Sequence, residues 1–320
     1  MTRLKLCRTP MSKRSGKWIE DLTPNMPASK AARKTLKRRF RPVMKWLADA
    51  AQSADESTEH VHQLRVAVRR AMAALHGYAE LLPAKKVAKI EKRLGQIRKR
   101  AGDARDFDVL IERFGALDDA PHWRPLVRRF EELREEAQRP IVKLYHKLKT
   151  KDFARRLRKT AKRIETGDDA QQTTLLQWAR LGLSRGVEAF FAAGAADLND
   201  VALLHQFRIE GKHLRYAMEY FGCAFGPTLR SEIYPEIEKL QVVLGEVNDH
   251  VSAIAHFETW NAEWDDAELR SLLEQRLAFE RDALHSAKQE FFRWWTPQRA
   301  ADLRRRFAEL LQLPDEEHAA

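Results

Sequence analysis

Apolar residues recur three and four positions apart along most of the chain, the spacing that lines one face of an α-helix. In the first such segment Leu36, Phe40, Val43 and Leu47 share one side, and Lys30, Arg33, Lys34, Lys37, Arg41 and Lys45 share the other. The second sets Leu64, Ala67, Val68, Ala71, Ala74, Leu75 and Tyr78 against a face holding His62, Arg65, Arg69 and His76. In the third, Lys85, Lys89, Lys92 and Lys99 line up, flanked by Arg93 and Arg100. The strong helix formers Ala, Leu, Arg, Lys and Glu dominate, and no alternating β-branched run predicts a strand. Breaks are predicted at Pro24–Pro27, Gln52–Thr58, Leu82–Pro83, Asp118–Pro121, Thr166–Asp169, Gly194–Asp200, Gly226–Pro227 and Asn261–Asp266. About four helical segments lie before Thr166 and four after it, and Pro42 predicts a kink or a late start in the first.

The pattern also repeats. His62-Gln63-Leu64-Arg65-Val66 recurs as His205-Gln206-Phe207-Arg208-Ile209, 143 residues later. Gly102-Asp103-Ala104-Arg105-Asp106 recurs at the same offset as Gly245-Glu246-Val247-Asn248-Asp249. Two matches at one offset predict a tandem duplication with its boundary near Gly167. The fold class is therefore all-α: two tandem four-helix bundles related by a pseudo-twofold. Residues 1–27 read as a basic, disordered arm, 28–166 as the first half, 167–313 as the second and 314–320 as a tail.

Charge sharpens this picture. Residues 1–160 carry 40 basic and 19 acidic side chains, a net +21, whereas residues 161–320 carry 18 and 27, a net −9. A solvated helical surface explains high charge but not that division, which points to a polyanionic partner. No stretch approaches a membrane span, and no signal-peptide pattern opens the chain. The acid-free start, with Arg3, Lys5, Arg8, Lys13, Arg14 and Lys17, reads as an arm rather than a transit peptide. Cys7 and Cys223 form neither a disulfide framework nor a zinc motif, so a reducing, cytoplasmic setting is expected.

One helix with a cationic stripe is an ordinary surface helix. Its recurrence is not: His205, Arg208, Lys212 and Arg215 share one face in the second half, opposite Phe207, Leu214, Met218 and Phe221. Few carboxylates offset these faces, so a bound anion would relieve their repulsion. Arginine offers phosphate a planar fork and lysine a movable point charge. Asp106 and Asp249 read as helix caps beside a glycine, the alternative being that such carboxylates orient the basic groups or bind a metal.

The blocks His62-x-x-Arg65-Val66-x-x-Arg69-Arg70, Gly102 to Asp108, His205-x-x-Arg208-x-x-x-Lys212 and Leu244 to Asp249 resemble the CHAD family, the conserved-histidine α-helical domain, over roughly residues 28–310. The resemblance implies two four-helix bundles and inorganic polyphosphate as the ligand, bound in a basic cleft or pore between them. It sets His62, Arg65, Arg69 and Arg70 on one wall and His205, Arg208, Lys212 and Arg215 on the other. Lys34, Lys37, Arg41 and Arg180 come from the first helix of each half, and Lys92 and Lys99 from the basic third helix. Two departures stand out. Met72 replaces an arginine common in the family, and the second half's third helix carries Glu232, Glu236 and Glu238 instead of lysines. The Glu-x-Glu-x-Lys motif of the triphosphate-tunnel domain sometimes fused to CHAD regions is absent, so a stand-alone member is expected.

The expected function is thus non-catalytic polyphosphate binding, in association with polyphosphate granules, with no catalytic residue, metal or cofactor and no membrane partner. The competing readings are a nucleic-acid or general polyanion binder, an enzyme that either transfers phosphate through His62 or hydrolyses polyphosphate with a carboxylate-held metal, and a metal chelator. No recognition motif, nucleotide-binding loop or clean ligand set favours these.

Overall fold

The periodic segments close into ten α-helices among the residues that the computed structural model describes, 16–53, 57–117, 119–162, 164 and 173–312. They are α1 Ala28–Gln52, α2 Glu59–Gly77, α3 Ala84–Gly115, α4 Arg124–Thr150, α5 Phe153–Lys162, α6 Leu175–Gly194, α7 Val201–Phe221, α8 Tyr234–Glu263, α9 Ala267–Trp294 and α10 Pro297–Leu311. No strand forms among the described residues. The expected boundary at 166/167, the tail 314–320 and residues 1–15 of the arm lie outside them.

Each half holds one helix more than expected. Asp152, at φ 47°, breaks α4 from α5. Thr296 caps α10 by accepting from the Arg299 N–H, with Pro297 at the first helical position. The anticipated breaks at Asp200 and Asp266 are N-caps, each accepting two backbone N–H bonds. Helix α1 starts at Ala28 and runs through Pro42, so the late start does not occur.

The apolar faces build a main core shared by both helix sets. They meet where α2 crosses α7: Tyr78 packs 5.6 Å from Phe221, and the Trp178 indole donates to the Gly77 carbonyl at 3.0 Å. A Cβ on Gly77 would lie 2.1 Å from the Tyr220 hydroxyl, so this crossing needs glycine. The long hairpins α3–α4 and α8–α9 meet again at their tips in a smaller core of Leu110, Phe114 and Phe130 against Phe257, Leu272 and Leu273.

A buried glutamate of the second half joins it to the first at each contact. Glu219, 1% exposed, accepts from Arg70 Nε at 2.7 Å, Arg215 Nη1 at 2.9 Å and the Tyr234 hydroxyl at 3.1 Å, with Arg39 at 4.0 Å. Glu280, fully buried, accepts from Arg113 at 2.9 Å and Arg276 at 2.8 Å and lies 2.6 Å from His250 Nδ1. Burial raises the Glu280 pKa, but the His250 hydrogen bond and the two arginines outweigh it and bring it below the usual value.

The arm expected over 1–27 requires correction from Gly16 onward. Ile19 and Leu22 are buried in the main core, and Trp18 stacks edge-on to Tyr234 at 4.8 Å. Arg39 donates to the Gly16 and Lys17 carbonyls, and Lys17 pairs with Glu238 at 2.8 Å. Pro27 bridges to Thr174, and the Leu175 N–H donates to the Met26 carbonyl at 2.7 Å. Ile19 and Leu22, buried on folding, act with these polar contacts to strap the segment across both helix sets.

Candidate functional site

Helices α2 and α7 cross with their apolar sides inward, and their polar sides then share a groove with α3. This groove, about 700 Å³, is lined by Arg65, Arg69 and Met72 of α2, Arg98 and Lys99 of α3, and Lys212 and Tyr216 of α7. Arg65 is held in place by donating to the Gly102 carbonyl at 3.0 Å and to Asp106 at 3.3 Å. Its counterpart Arg208 donates to Asn248 at 3.1 Å. Asn248 also lies 2.9 Å from Nδ1 of His205.

Burial and like charge act together on these groups. Burial, followed by Arg208 and Arg69, brings the Lys212 ammonium down to about 7 against the opposing pull of Asp249. Burial also lowers the pKa of His62, with Arg105, Arg65 and Arg69 adding to it and Glu59 opposing. Arg65 is lowered by burial and by Arg69, with Asp106 countering. Arg208 is lowered by burial, Asp249 countering and Arg69 adding. These interactions link Arg69 of the first half to Arg208 and Lys212 of the second.

The groove and its field therefore bring together six of the expected residues: His62, Arg65, Arg69, Lys99, Arg208 and Lys212. The others stand elsewhere. Arg70 and Arg215 are committed to Glu219. Lys34, Lys37 and Arg41 line a separate groove of about 950 Å³ between α1, α2 and the strap, and Lys34 donates to the Asp21 carbonyl. Lys92 lines a third groove, between α3 and α5. Arg180 donates to Gln312 after α10. His205, exposed, borders a small hollow with Arg208.

The reading of Asp106 and Asp249 as caps is overturned, since both stand inside long helices, α3 and α8. Asp106 orients Arg65, and Asp249 faces the Arg208–Lys212 pair. A Cβ on Gly102 would stand 3.4 Å from the Arg65 guanidinium, in ordinary contact, so that side chain lies directly over the α3 backbone. Arg98 and Arg105 escaped the sequence reading, although Arg105 lies within the repeated Gly-Asp-x-Arg-Asp block. The arrangement can hold and orient a run of anionic oxygens. Among the described residues no group of three or more His, Cys, Asp or Glu side chains could hold a metal ion, and no helix is long and apolar enough to cross a membrane.

Residues 36–258, which span both histidine motifs, match the family described as CHAD domain. Two solved structures share the fold. The crystal structure of the CHAD domain from the plant Ricinus communis aligns with TM-score 0.68 at 19% identity, covering 90% of this chain and 94% of that one. PptA from Streptomyces chartreusis aligns with TM-score 0.60 at 18% identity, covering 86% and 99%. No curated protein matches this chain significantly.

Proposed function

Since the chain belongs to the CHAD domain family, we propose that it binds inorganic polyphosphate in the α2–α3–α7 groove and does not turn it over. The observation that carries this reading is the convergence of Arg69, Arg208 and Lys212 from two crossing helices. They are close enough, and buried enough, to bring the lysine down to about 7. Cations crowded in a desolvated groove oppose one another, and a polyanion reverses the sign of that interaction. Arg65 and Arg208, braced by Asp106 and Asn248, present guanidinium forks to phosphate oxygens at fixed positions. Lys99 and Lys212 add point charges along the chain.

Polyphosphate is favoured over nucleic acid because the tyrosine that lines this groove, Tyr216, is buried with the Arg215 guanidinium 4.5 Å from its ring centre, which leaves little face for a base. Phe107, next to Asp106 in sequence, is stacked on Trp260 at 5.8 Å. A cytoplasmic setting beside polyphosphate granules follows from the same proposal. The test is a titration with long-chain polyphosphate beside duplex DNA at equal phosphate concentration and ~0.15 M salt, with orthophosphate followed in parallel. Tight binding of polyphosphate, weaker binding of DNA and no phosphate release are expected. Equal affinity for both ligands, or released phosphate, would overturn the proposal.

A further inference from the structure

Helix α3 carries cations on two sides. One side faces the α2–α3–α7 groove. The other walls a separate groove of about 480 Å³, closed by the end of α4 and by α5. Lys86, Lys89 and Arg93 of α3 face Lys151, Arg156 and Lys159 across it, with Ile90, Leu148 and Phe153 among its apolar lining. No carboxylate lines this groove. None of these six cations, nor Lys92 beside them, forms an ion pair with a described carboxylate, and Arg93 donates only to the neutral Gln96 at 2.8 Å. Elsewhere the arginines are mostly neutralised, as Arg113 is by Glu280 and Arg134 by Asp108. Seven cations around one concavity, none paired with a described carboxylate, repel one another and create a local positive potential that attracts anions.

We propose that this second groove holds a further stretch of the same polyphosphate chain, which crosses α3 from the first groove. This inference rests on the function proposed above. Lys99 lines the first groove and Lys92 the second. They are seven residues apart on α3, nearly two turns, so their Cα atoms lie about 10 Å apart along one ridge. A long flexible chain passing over that ridge engages both grooves. A short one occupies one at a time. The lining favours an inorganic chain. Its one aromatic residue, Phe153, is 3% exposed and offers no face to a nucleobase.

The experiment compares tripolyphosphate with long-chain polyphosphate at ~0.15 M salt in three proteins: the wild type, the groove variant K89Q/R93Q/R156Q and the first-site variant R65E/R208E. Joining two stretches of one ligand makes the second contact intramolecular. The groove variant should therefore lose at least about tenfold in affinity for the long chain and under about threefold for tripolyphosphate. Its salt dependence for the long chain should be shallower by about two in the log–log slope, from three lost contacts. K86Q/K151Q/K159Q, on the same groove, should behave alike, and thermal melts should match the wild type in both. Wild-type affinity for the long chain in both groove variants overturns the inference. So do equal losses for the two chain lengths, which would make the grooves independent sites. Full wild-type binding by R65E/R208E would instead refute the first site, so the two failures are distinguishable.

Discussion

Lys212 makes binding depend on pH in a way that one substitution isolates. Its ammonium, brought down to about 7 by burial and by Arg208 and Arg69, is half charged near neutrality in the free protein. A phosphate chain in the groove favours the charged form, so binding takes up a proton. Affinity then follows the fraction already charged, which falls from about 0.9 at pH 6 to about 0.1 at pH 8, a loss of roughly tenfold or ~1.4 kcal/mol. That figure is an upper value, since the groove is open to solvent and salt screens it. Asp249 opposes the effect, while Arg215 adds to it from the same helix. His62, already lowered by burial and the surrounding arginines, contributes mainly below its ordinary value. The assay is calorimetry of polyphosphate binding at both pH values in two buffers of different ionisation heat, on wild type and Lys212→Arg. The arginine stays charged throughout, so the variant should lose the tenfold dependence and the proton uptake near neutrality. Polyphosphate's own titration is common to both proteins and cancels. Identical pH profiles for the two proteins would refute the reasoning.

Replacing Glu219 with Ala strands Arg39, Arg70 and Arg215 around a buried gap, and should cost about 3–5 kcal/mol, read as a lowered urea midpoint. A midpoint within error of wild type would show that the pairing is not stabilising. Gly77→Ala forces a methyl to 2.1 Å from the Tyr220 hydroxyl and should lower stability by roughly 1–3 kcal/mol through overpacking. Thermal unfolding checks it, and Gly245→Ala, whose Cβ meets nothing within 4 Å, is the control. Reversing Arg65 and Arg208 together to Glu should abolish polyphosphate binding at ~0.15 M salt. For Arg65→Gln alone, the log–log salt slope should fall by about one.

Much of the fold was legible because apolar spacing reports directly on which helix face is buried. Leu36, Val43 and Leu47 were assigned inward from spacing alone and are fully buried. Helix ends marked by side-chain chemistry, such as Asp200 and Asp266, could be read as well. The α4–α5 break was not legible, since Asp152 takes a left-handed backbone without the usual glycine. Thr296-Pro297 carried a cap signature that went unread. For the candidate site, helical phase put Arg65, Arg69, Arg208 and Lys212 off the fully buried faces of α2 and α7, where the structure also has them. Phase does not say what a face packs against. Arg70 lies one residue from Arg69, yet its guanidinium turns to Glu219. Asp106 and Asp249 were misread for a related reason. A carboxylate beside glycine resembles a helix end until the length of α3 and α8 is known.

The two buried glutamates set the smallest unit that can exist alone. Glu219 and Glu280 belong to the second half, but Arg70, Arg39 and Arg113 that neutralise them belong to the first. Cutting the chain near residue 167 would leave each fragment with orphaned charge and an open apolar face. The two motif blocks that recur along the sequence therefore do not mark out a module that stands alone. Neither fragment should fold when expressed separately, while the two produced together should find each other by fragment complementation.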